Sequence, residues 1–172
     1  MGNLSGTSQE TPPLPLLRIQ KVMPTIKATD LPFNQLLGIR PAPAGAEHLL
    51  EMPLSSALLN HLGTVHAAAQ FGLAEAASAE CLQRYFDRMA GDVHAVVRSV
   101  EVKYRKPAIT DLWAFGCPDD ATRLEFPPEF ARRGRGFAMI LVDLKDSAGT
   151  LSFHGQFQWF LSRAAPPTAP TA

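Results

Sequence analysis

The feature that most constrains the fold is a proline-free, alanine-rich stretch at residues 67–88. Apolar and small side chains recur through it at helical spacing, namely Phe71, Ala74, Ala77 or Ser78, Cys81, Leu82 and Tyr85. Alanine has the highest helix propensity, so composition and spacing together predict one long helix. A helix of about 20 residues spans roughly 30 Å, the width of a small domain. A helix this apolar has to be covered by the rest of the chain.

A single carboxylate, Glu75, lies inside the apolar part of this helix. Alanines and Gly72 surround it, and no Lys or Arg lies three or four residues away. An exposed helix face normally carries several charges, and a desolvated carboxylate is costly unless it has a partner or a task. Glu75 is therefore either a lone surface acid that faces water or a functional group, and we favour the functional interpretation.

The residues after Gly91 change from helical to alternating periodicity. In "VVRSVEVKYRKPA", the side chains of Val100, Val102 and Tyr104 alternate with polar ones, which predicts a strand with one solvent-facing side. Five strands are predicted in all, at residues 45–54, 94–106, 111–117, 136–146 and 150–162. The last two form a hairpin whose turn is Asp146-Ser147-Ala148-Gly149.

Two further segments are predicted to be partly helical. Residues 28–38 have the pattern of a short amphipathic helix, with a cap at Thr29 or Asp30 and a stop at Gly38. Residues 119–136 form a polar insertion with one helical turn before Pro127. One dominant helix and a run of antiparallel strands make an α+β domain, in which a curved sheet wraps the helix. The domain is predicted at 17–163, between a disordered tail at 1–16 and a Pro/Ala/Thr-rich tail at 164–172.

Composition excludes several classes of function. The 172 residues contain 16 Lys and Arg against 16 Asp and Glu, so charge gives no reason to expect nucleic acid or an acidic membrane as a partner. The longest apolar run, 137–142, is far too short to cross a membrane. Two cysteines, Cys81 and Cys117, show no metal-binding spacing, which favours reduced thiols in a cytoplasmic protein. The five histidines are scattered, and no Gly-x-Ser-x-Gly motif is present, so neither a metal site nor a serine hydrolase is expected.

Three motifs in order carry a resemblance to a known family. The segment 60–66 is Asn-His-Leu-Gly-Thr-Val-His, and Glu75 follows nine residues after its last histidine. A strand ending in Arg-x-Pro-Ala follows in "VEVKYRKPAITDLWAFG", and "LVDLKDSAGTLSFHGQFQW" looks like a closing hairpin. The chain resembles the hotdog-fold acyl-CoA thioesterases over residues 38–162, especially the phenylacetate-pathway type or a branch close to it.

The resemblance implies a hotdog fold and a hydrolase for acyl-CoA or a related thioester, without cofactor or metal. Glu75 would act as general base or nucleophile, and Asn60 would hold the thioester carbonyl or the attacking water. The substrate-side positions would be Gly63, His66, Ala67 and Ser78. From the residues alone, Asn60 is equally a turn residue, Gly63 a backbone requirement, and His66 a helix-entry residue bonded locally.

The resemblance also implies a homodimer or a homotetramer. Nine residues at about 100° each place His66 and Glu75 on opposite sides of a continuous helix, so they cannot meet on one ligand within a chain. In the family, the loop of one chain faces the helix of the other. One departure supports a different function: Ala67-Ala68 stands where the family has Gly-Gly. The alternative is a non-catalytic hotdog module that binds an acyl group or a protein.

Overall fold

The protein is described here by a computed structural model that covers residues 27–86 and 93–163. Its helices are α1 (Pro32–Leu36), α2 (Ala67–Phe86), α3 (Asp120–Leu124) and α4 (Phe126–Arg133), with short 3-10 helices at Ala28–Asp30 and Ser56–Leu58. Its strands are β1 (Arg40–Pro41), β2 (Leu50–Met52), β3 (Val93–Tyr104), β4 (Leu112–Pro118), β5 (Arg135–Lys145) and β6 (Leu151–Arg163). The predicted tails and the predicted domain start at residue 17 lie outside the described residues.

The six strands form one antiparallel sheet in the order β1-β2-β4-β5-β6-β3. Helix α2 packs on one face of this sheet, mainly over β4 and β5. Leu73, Ala74 and Ala77 are fully buried on the sheet side of the helix. Small side chains there let the helix lie close to the large buried residues of the sheet, such as Phe153 and Phe157. The predicted α+β arrangement of a long helix and an antiparallel sheet is confirmed.

The two edges of the sheet differ greatly in length. Strand β1 has two residues, whereas β3 has 12 and, among the strands of the described residues, pairs with β6 alone. The predicted alternation in β3 is confirmed, because Val100 and Val102 are half-buried while Glu101 and Lys103 are exposed. The unpaired N–H and C=O groups along the edge of a long strand can form hydrogen bonds with a strand of another chain.

The predicted strand at 45–54 is too long. Only Leu50–Met52 is extended and paired with β4. A turn closed by the bond from Ala46 N–H to the Pro43 carbonyl and a positive φ of 85° at Gly45 keep the preceding residues out of the sheet. Strand β1 lies before that turn and was not predicted.

The predicted helix at 28–38 is broken in two. Leu31 is extended, at φ −70° and ψ 132°, because a residue before proline is disfavoured in the helical region. The predicted cap at Thr29 or Asp30 is therefore wrong, since α1 starts after Leu31 with no side-chain cap. The predicted stop is confirmed, because Gly38 has a φ of 71° just beyond the helix end.

The insertion holds more helix than predicted. The turn before Pro127 is α3, whose first N–H groups are capped by Asp119 through a 2.7 Å bond from Thr122 N–H. A second helix, α4, then starts at Phe126 with Pro127 in its first turn, where a missing N–H costs nothing. Helix α2 begins at Ala67 as predicted and is described to Phe86, so the predicted end at residue 88 lies outside the described residues.

Candidate functional site

Glu75 is half-buried in the middle of α2. It lies on a partly exposed face of the helix, together with Ala68, Phe71 and Ala79 at helical spacing. We call these four residues the open face of α2. Phe71 is at the margin of this face and packs against Phe157 of β6. Burial raises the pKa of the Glu75 carboxyl above its usual value, and no charged or hydrogen-bonding group of the described residues opposes that shift. The carboxylate is thus poised to take up a proton more readily than an ordinary glutamate.

The loop before α2 is organised by the Asn60 side chain. Its Oδ1 accepts hydrogen bonds from Leu62 N–H at 2.9 Å and Thr64 N–H at 3.2 Å, and its Nδ2 donates to Thr64 Oγ1 at 2.9 Å. The backbone adds a bond from Asn60 N–H to the Thr64 carbonyl at 2.8 Å. One hydrogen of the Asn60 amide stays available to a ligand, because Nδ2 carries two. The turn interpretation of Asn60 is supported by these bonds, and its predicted role toward a thioester stays a prediction.

Gly63 provides the sharp bend of this loop. Its φ is 72°, a conformation that other residues adopt at a cost, and no atom lies within 4 Å of where a Cβ would stand. Its N–H donates to the Asn60 carbonyl at 3.0 Å. The glycine is therefore explained by backbone conformation rather than by crowding, and contact with substrate stays a prediction.

His66 caps the start of α2. Its ring Nδ1 accepts the Ala68 N–H at 3.0 Å, and its carbonyl accepts the N–H groups of Ala69 and Gln70 at 3.0 and 3.1 Å. The Ala67 N–H finds no acceptor within residues 27–86 and 93–163. The helix dipole and this free donor make the end of α2 suitable for a partial negative charge.

Ser78 lies on the sheet side of α2 and is completely buried. Its hydroxyl donates to the Glu75 backbone carbonyl at 2.7 Å and accepts from Trp159 Nε1 at 3.2 Å. The hydroxyl joins the helix to β6, and its position within the chain does not support the predicted contact with substrate or water.

Two polar side chains next to the helix start had not been predicted. The Tyr104 hydroxyl donates to the Ala67 carbonyl at 3.1 Å, so the end of β3 is tied to the first residue of α2. Gln70, which is 5% exposed, donates through Nε2 to the Val65 carbonyl at 3.1 Å. The sequence signal for the Gln70 contact was a glutamine in an otherwise apolar helix. The Tyr104 contact has no such signal, because it depends on the register of β3.

The structure brings four of the predicted site residues together and places Glu75 away from them. Asn60, Gly63, His66 and Ala67 belong to one hydrogen-bonded loop and helix start. Glu75 lies about two and a half turns further along α2, on the side of the helix opposite His66. No single chain brings the carboxylate to the free N–H of Ala67.

Comparison with known proteins places the chain in a family. The family model described as a domain of unknown function (DUF4442) matches residues 40–161. The chain belongs to this family. The matched range contains the loop, α2 and all of the sheet except the last two residues of β6, so the candidate site lies within the family domain. Among curated proteins, none matches the chain.

Several solved structures resemble the chain at low identity. A probable thioesterase of unknown function from Pseudomonas aeruginosa has a TM-score of 0.67 at 22% identity, over 80% of this chain and 91% of that one. A thioesterase from Haemophilus influenzae has a TM-score of 0.59 at 16% identity, over 80% and 92%. A Bacillus halodurans protein solved with CoA has a TM-score of 0.53 at 18% identity, over 65% and 69%. These likenesses confirm the predicted hotdog fold.

Two broader features of the described residues bear on function. None of the helices in the described residues is long and apolar enough to span a membrane. Within the same residues, no three His, Cys, Asp or Glu side chains come together in a way that could hold a metal ion.

Proposed function

We propose that the protein is a hydrolase of acyl-CoA or a related thioester, with Glu75 as the reacting carboxylate. The observation that carries this proposal is the state of Glu75: half-buried, raised in pKa by that burial alone, and placed on the open face of α2. Residues with perturbed pKa values cluster at functional sites. A serine or metal mechanism has no comparable support among the described residues.

The start of α2 would stabilise the negative charge that develops on the thioester carbonyl oxygen. Hydrolysis of a thioester develops negative charge on the carbonyl oxygen, and an unpaired N–H at a helix N-terminus stabilises such a charge. Ala67 supplies that N–H, and Tyr104 and His66 hold the first turn of the helix in place from either side. The second amide hydrogen of Asn60 would bind the same oxygen or the attacking water.

Two chemical routes fit the carboxylate. As a general base, Glu75 takes a proton from water while the hydroxide attacks the carbonyl carbon, and the C–S bond then breaks to release the thiol. As a nucleophile, its oxygen attacks the same carbon and expels the thiol, and water then cleaves the resulting anhydride. Both routes release one carboxylic acid and one free thiol.

The site requires two chains. Within residues 27–86 and 93–163, the open face of α2 is partly exposed and one edge of the 12-residue strand β3 has no partner. Pairing of two β3 edges would cover the edge and bring Glu75 of one chain toward the loop at Asn60–Ala67 of the other. We propose a homodimer for this reason, and a homotetramer is compatible with the same site.

The comparisons support the substrate class. Similar structures include proteins described as thioesterases, and the Bacillus halodurans protein was solved with CoA. We extend that class to this chain as a proposal, together with the cytoplasm as the compartment where acyl-CoA and reduced thiols coexist. Both cysteines are free in the structure.

One observation favours a second function. Ala67 and Ala68 put methyl groups where the family pattern has none, and both residues are exposed at the helix start. A methyl at the point of closest approach would hinder a thioester, and a hotdog module that only binds an acyl group or a protein would tolerate it. The two functions differ in turnover, not in fold.

A thiol-release assay with a panel of short, long and aromatic acyl-CoAs tests the proposal. A hydrolase releases CoA from at least one member at a rate that scales with protein concentration, and Glu75→Gln abolishes most of it. If no member is hydrolysed although acyl-CoA binds, the binding module is the correct function. A protein that stays monomeric in light scattering at micromolar concentration would contradict the two-chain site.

A further inference from the structure

A cleft of about 520 Å³ opens beside the C-terminal half of α2. Its walls are formed by Leu49, Cys81, Arg84, Tyr85, Gly116, Pro118 and Pro127. Three parts of the fold meet there: the residue that precedes β2, the end of β4, and the first turn of α4. Small-molecule sites in proteins typically enclose about 300–1,000 Å³, so the cleft has room for an organic ligand.

The cleft is separate from the candidate site around Glu75. Arg84 follows Glu75 by nine residues, which places it on the opposite side of α2 and about 13 Å along the helix axis. Strand β4, which lines the cleft, and the neighbouring strand β2 lie toward the end of the sheet away from β3. A dimer formed through the β3 edge would therefore not use the cleft as part of its interface.

The floor of the cleft is apolar. Burial raises the pKa of the Cys81 thiol to about 12, so the sulfur stays protonated and uncharged at neutral pH. A Cβ at position 116 would approach Leu49 Cδ1 to 2.9 Å and Cys81 Cβ to 3.1 Å. Gly116 therefore lets β4, Leu49 and Cys81 pack together without a side chain that would push Leu49 into the open space.

The rim of the cleft carries a cation. Arg84 Nε donates to Glu80 Oε1 at 2.8 Å, and the terminal nitrogens of the guanidinium make no hydrogen bond within the described residues. Of the charged groups that act on the Cys81 thiol, Arg84 is paired with Glu80, and Arg123 lies 3.9 Å from Asp120. The positive group that the rim offers to a ligand is therefore the free end of the Arg84 guanidinium. A guanidinium fixed by one edge presents its other donors as a fork that suits a carboxylate.

We propose that the cleft binds an apolar carboxylic acid, with the carboxylate on Arg84 and the hydrocarbon along Leu49, Gly116 and the two prolines. The apolar floor excludes a ligand that is polar throughout, and the cation at the rim excludes one that is apolar throughout. A free carboxylic acid is also the class of product that thioester hydrolysis releases, so the cleft would sense or hold product if the proposed function holds. Binding itself requires no catalytic activity.

Isothermal titration of the full chain with decanoate, kept below its micelle concentration, tests the proposal. Decanoate should bind with a dissociation constant in the micromolar range, and 1-decanol of the same length should bind at least tenfold more weakly. Arg84→Gln should weaken decanoate binding by roughly tenfold or more, the usual loss for a charged hydrogen bond. Arg133→Gln is the matched control, because Arg133 forms the same i,i+4 pair with Glu129 at 2.9 Å and is similarly exposed.

Other outcomes overturn the proposal. Equal binding of decanoate and 1-decanol, or equal effects of the two arginine variants, would show that Arg84 does not recognise a carboxylate. Loss of decanoate binding in Glu75→Gln but not in Arg84→Gln would assign the ligand to the candidate site. Coenzyme A that displaces decanoate in an Arg84-dependent way would show that the cleft takes a nucleotide. None of these results depends on whether a thioester is hydrolysed, so they leave the proposed hydrolase function to its own assay.

Discussion

Replacement of Glu75 by glutamine separates chemistry from architecture at the candidate site. Glutamine has nearly the same size and keeps hydrogen-bonding capacity, but it can neither accept a proton as a carboxylate does nor attack a carbonyl. The backbone carbonyl of residue 75 would keep its 2.7 Å bond from Ser78, since that bond does not involve the side chain. The helix and the sheet beneath it should therefore survive the change.

The expected loss of turnover is large. Removal of a general base typically costs a factor of about 10²–10⁴ in rate, which corresponds to roughly 2.7–5.5 kcal/mol of activation free energy. A lost nucleophile could cost more. Because the interaction acts mainly in the transition state, kcat should fall far more than KM changes, and a non-hydrolysable acyl-CoA should still bind.

The same variant should change stability in the opposite direction. Burial raises the pKa of Glu75 above the ordinary value of 4.5 for a glutamate, so the folded state holds the proton more tightly than the unfolded state does. The free energy of unfolding of the wild type therefore falls as pH rises from about 4.5 through the raised pKa, and it stays lower above that. Glu75→Gln lacks this loss, so its advantage in stability should be near zero at pH 4 and present at pH 8.

Thermal melts at several pH values and the thiol-release assay measure both effects in one preparation. Glu80→Gln is the control, because Glu80 is on the same helix and its carboxylate is occupied by Arg84. Turnover that survives Glu75→Gln, or falls equally in Glu80→Gln, would refute a reacting carboxylate at position 75. A melting temperature that drops at pH 8 would refute the burial argument and would show that another group pairs with the charge.

Substitutions at three further positions test the interactions that support the site. Ser78→Ala should lower the melting temperature by several degrees, because it leaves the buried Trp159 Nε1 without its acceptor. The loss should cost about 1–3 kcal/mol of stability, and each kcal/mol lowers the melting temperature by about 2–4 °C. An unchanged melting temperature would contradict the hydrogen bond. His66→Ala should cost about 1 kcal/mol in urea unfolding through the lost cap on Ala68, and His66→Asn should restore most of it. Gly63→Ala should cost roughly 1–2 kcal/mol by the same measurement through its positive φ alone, so Gly63→Asn should be milder.

The regular elements could be predicted because each follows a local periodicity. Helix α2 starts at Ala67 as predicted, since helical spacing begins where the polar loop ends. The closing hairpin was also predicted from its turn, in which Asp146 Oδ1 accepts from the N–H groups of Ala148 and Thr150 at 3.0 and 2.8 Å. Such signals lie within a few residues of one another and need no knowledge of the fold.

The remaining features depend on contacts between distant residues. Ser78 has the sequence context of a helix residue near a candidate acid, and only the position of Trp159 on β6 shows that its hydroxyl is a buried link. The bond from Tyr104 to Ala67 likewise requires the register that pairs Tyr104 with Phe153. Strand β2 is short because the turn at Gly45 precedes it, and the sequence does not show that only Leu50–Met52 pair with β4.

The alanines at the start of α2 change the geometry of the site without removing its donor. The Ala68 N–H is already taken by His66, so the free donor is the Ala67 N–H, which an alanine supplies as well as a glycine does. Alanine in place of glycine also stabilises the helical conformation by about 0.5–1 kcal/mol. The hydrogen bond from the Tyr104 hydroxyl to the Ala67 carbonyl holds the helix start in place as well. At the proposed site, the methyl groups would therefore limit how closely a thioester could approach, while the direction of the donor would become better defined. Because these two effects oppose each other at one position, turnover rather than fold decides whether this chain hydrolyses a thioester or only binds an acyl group.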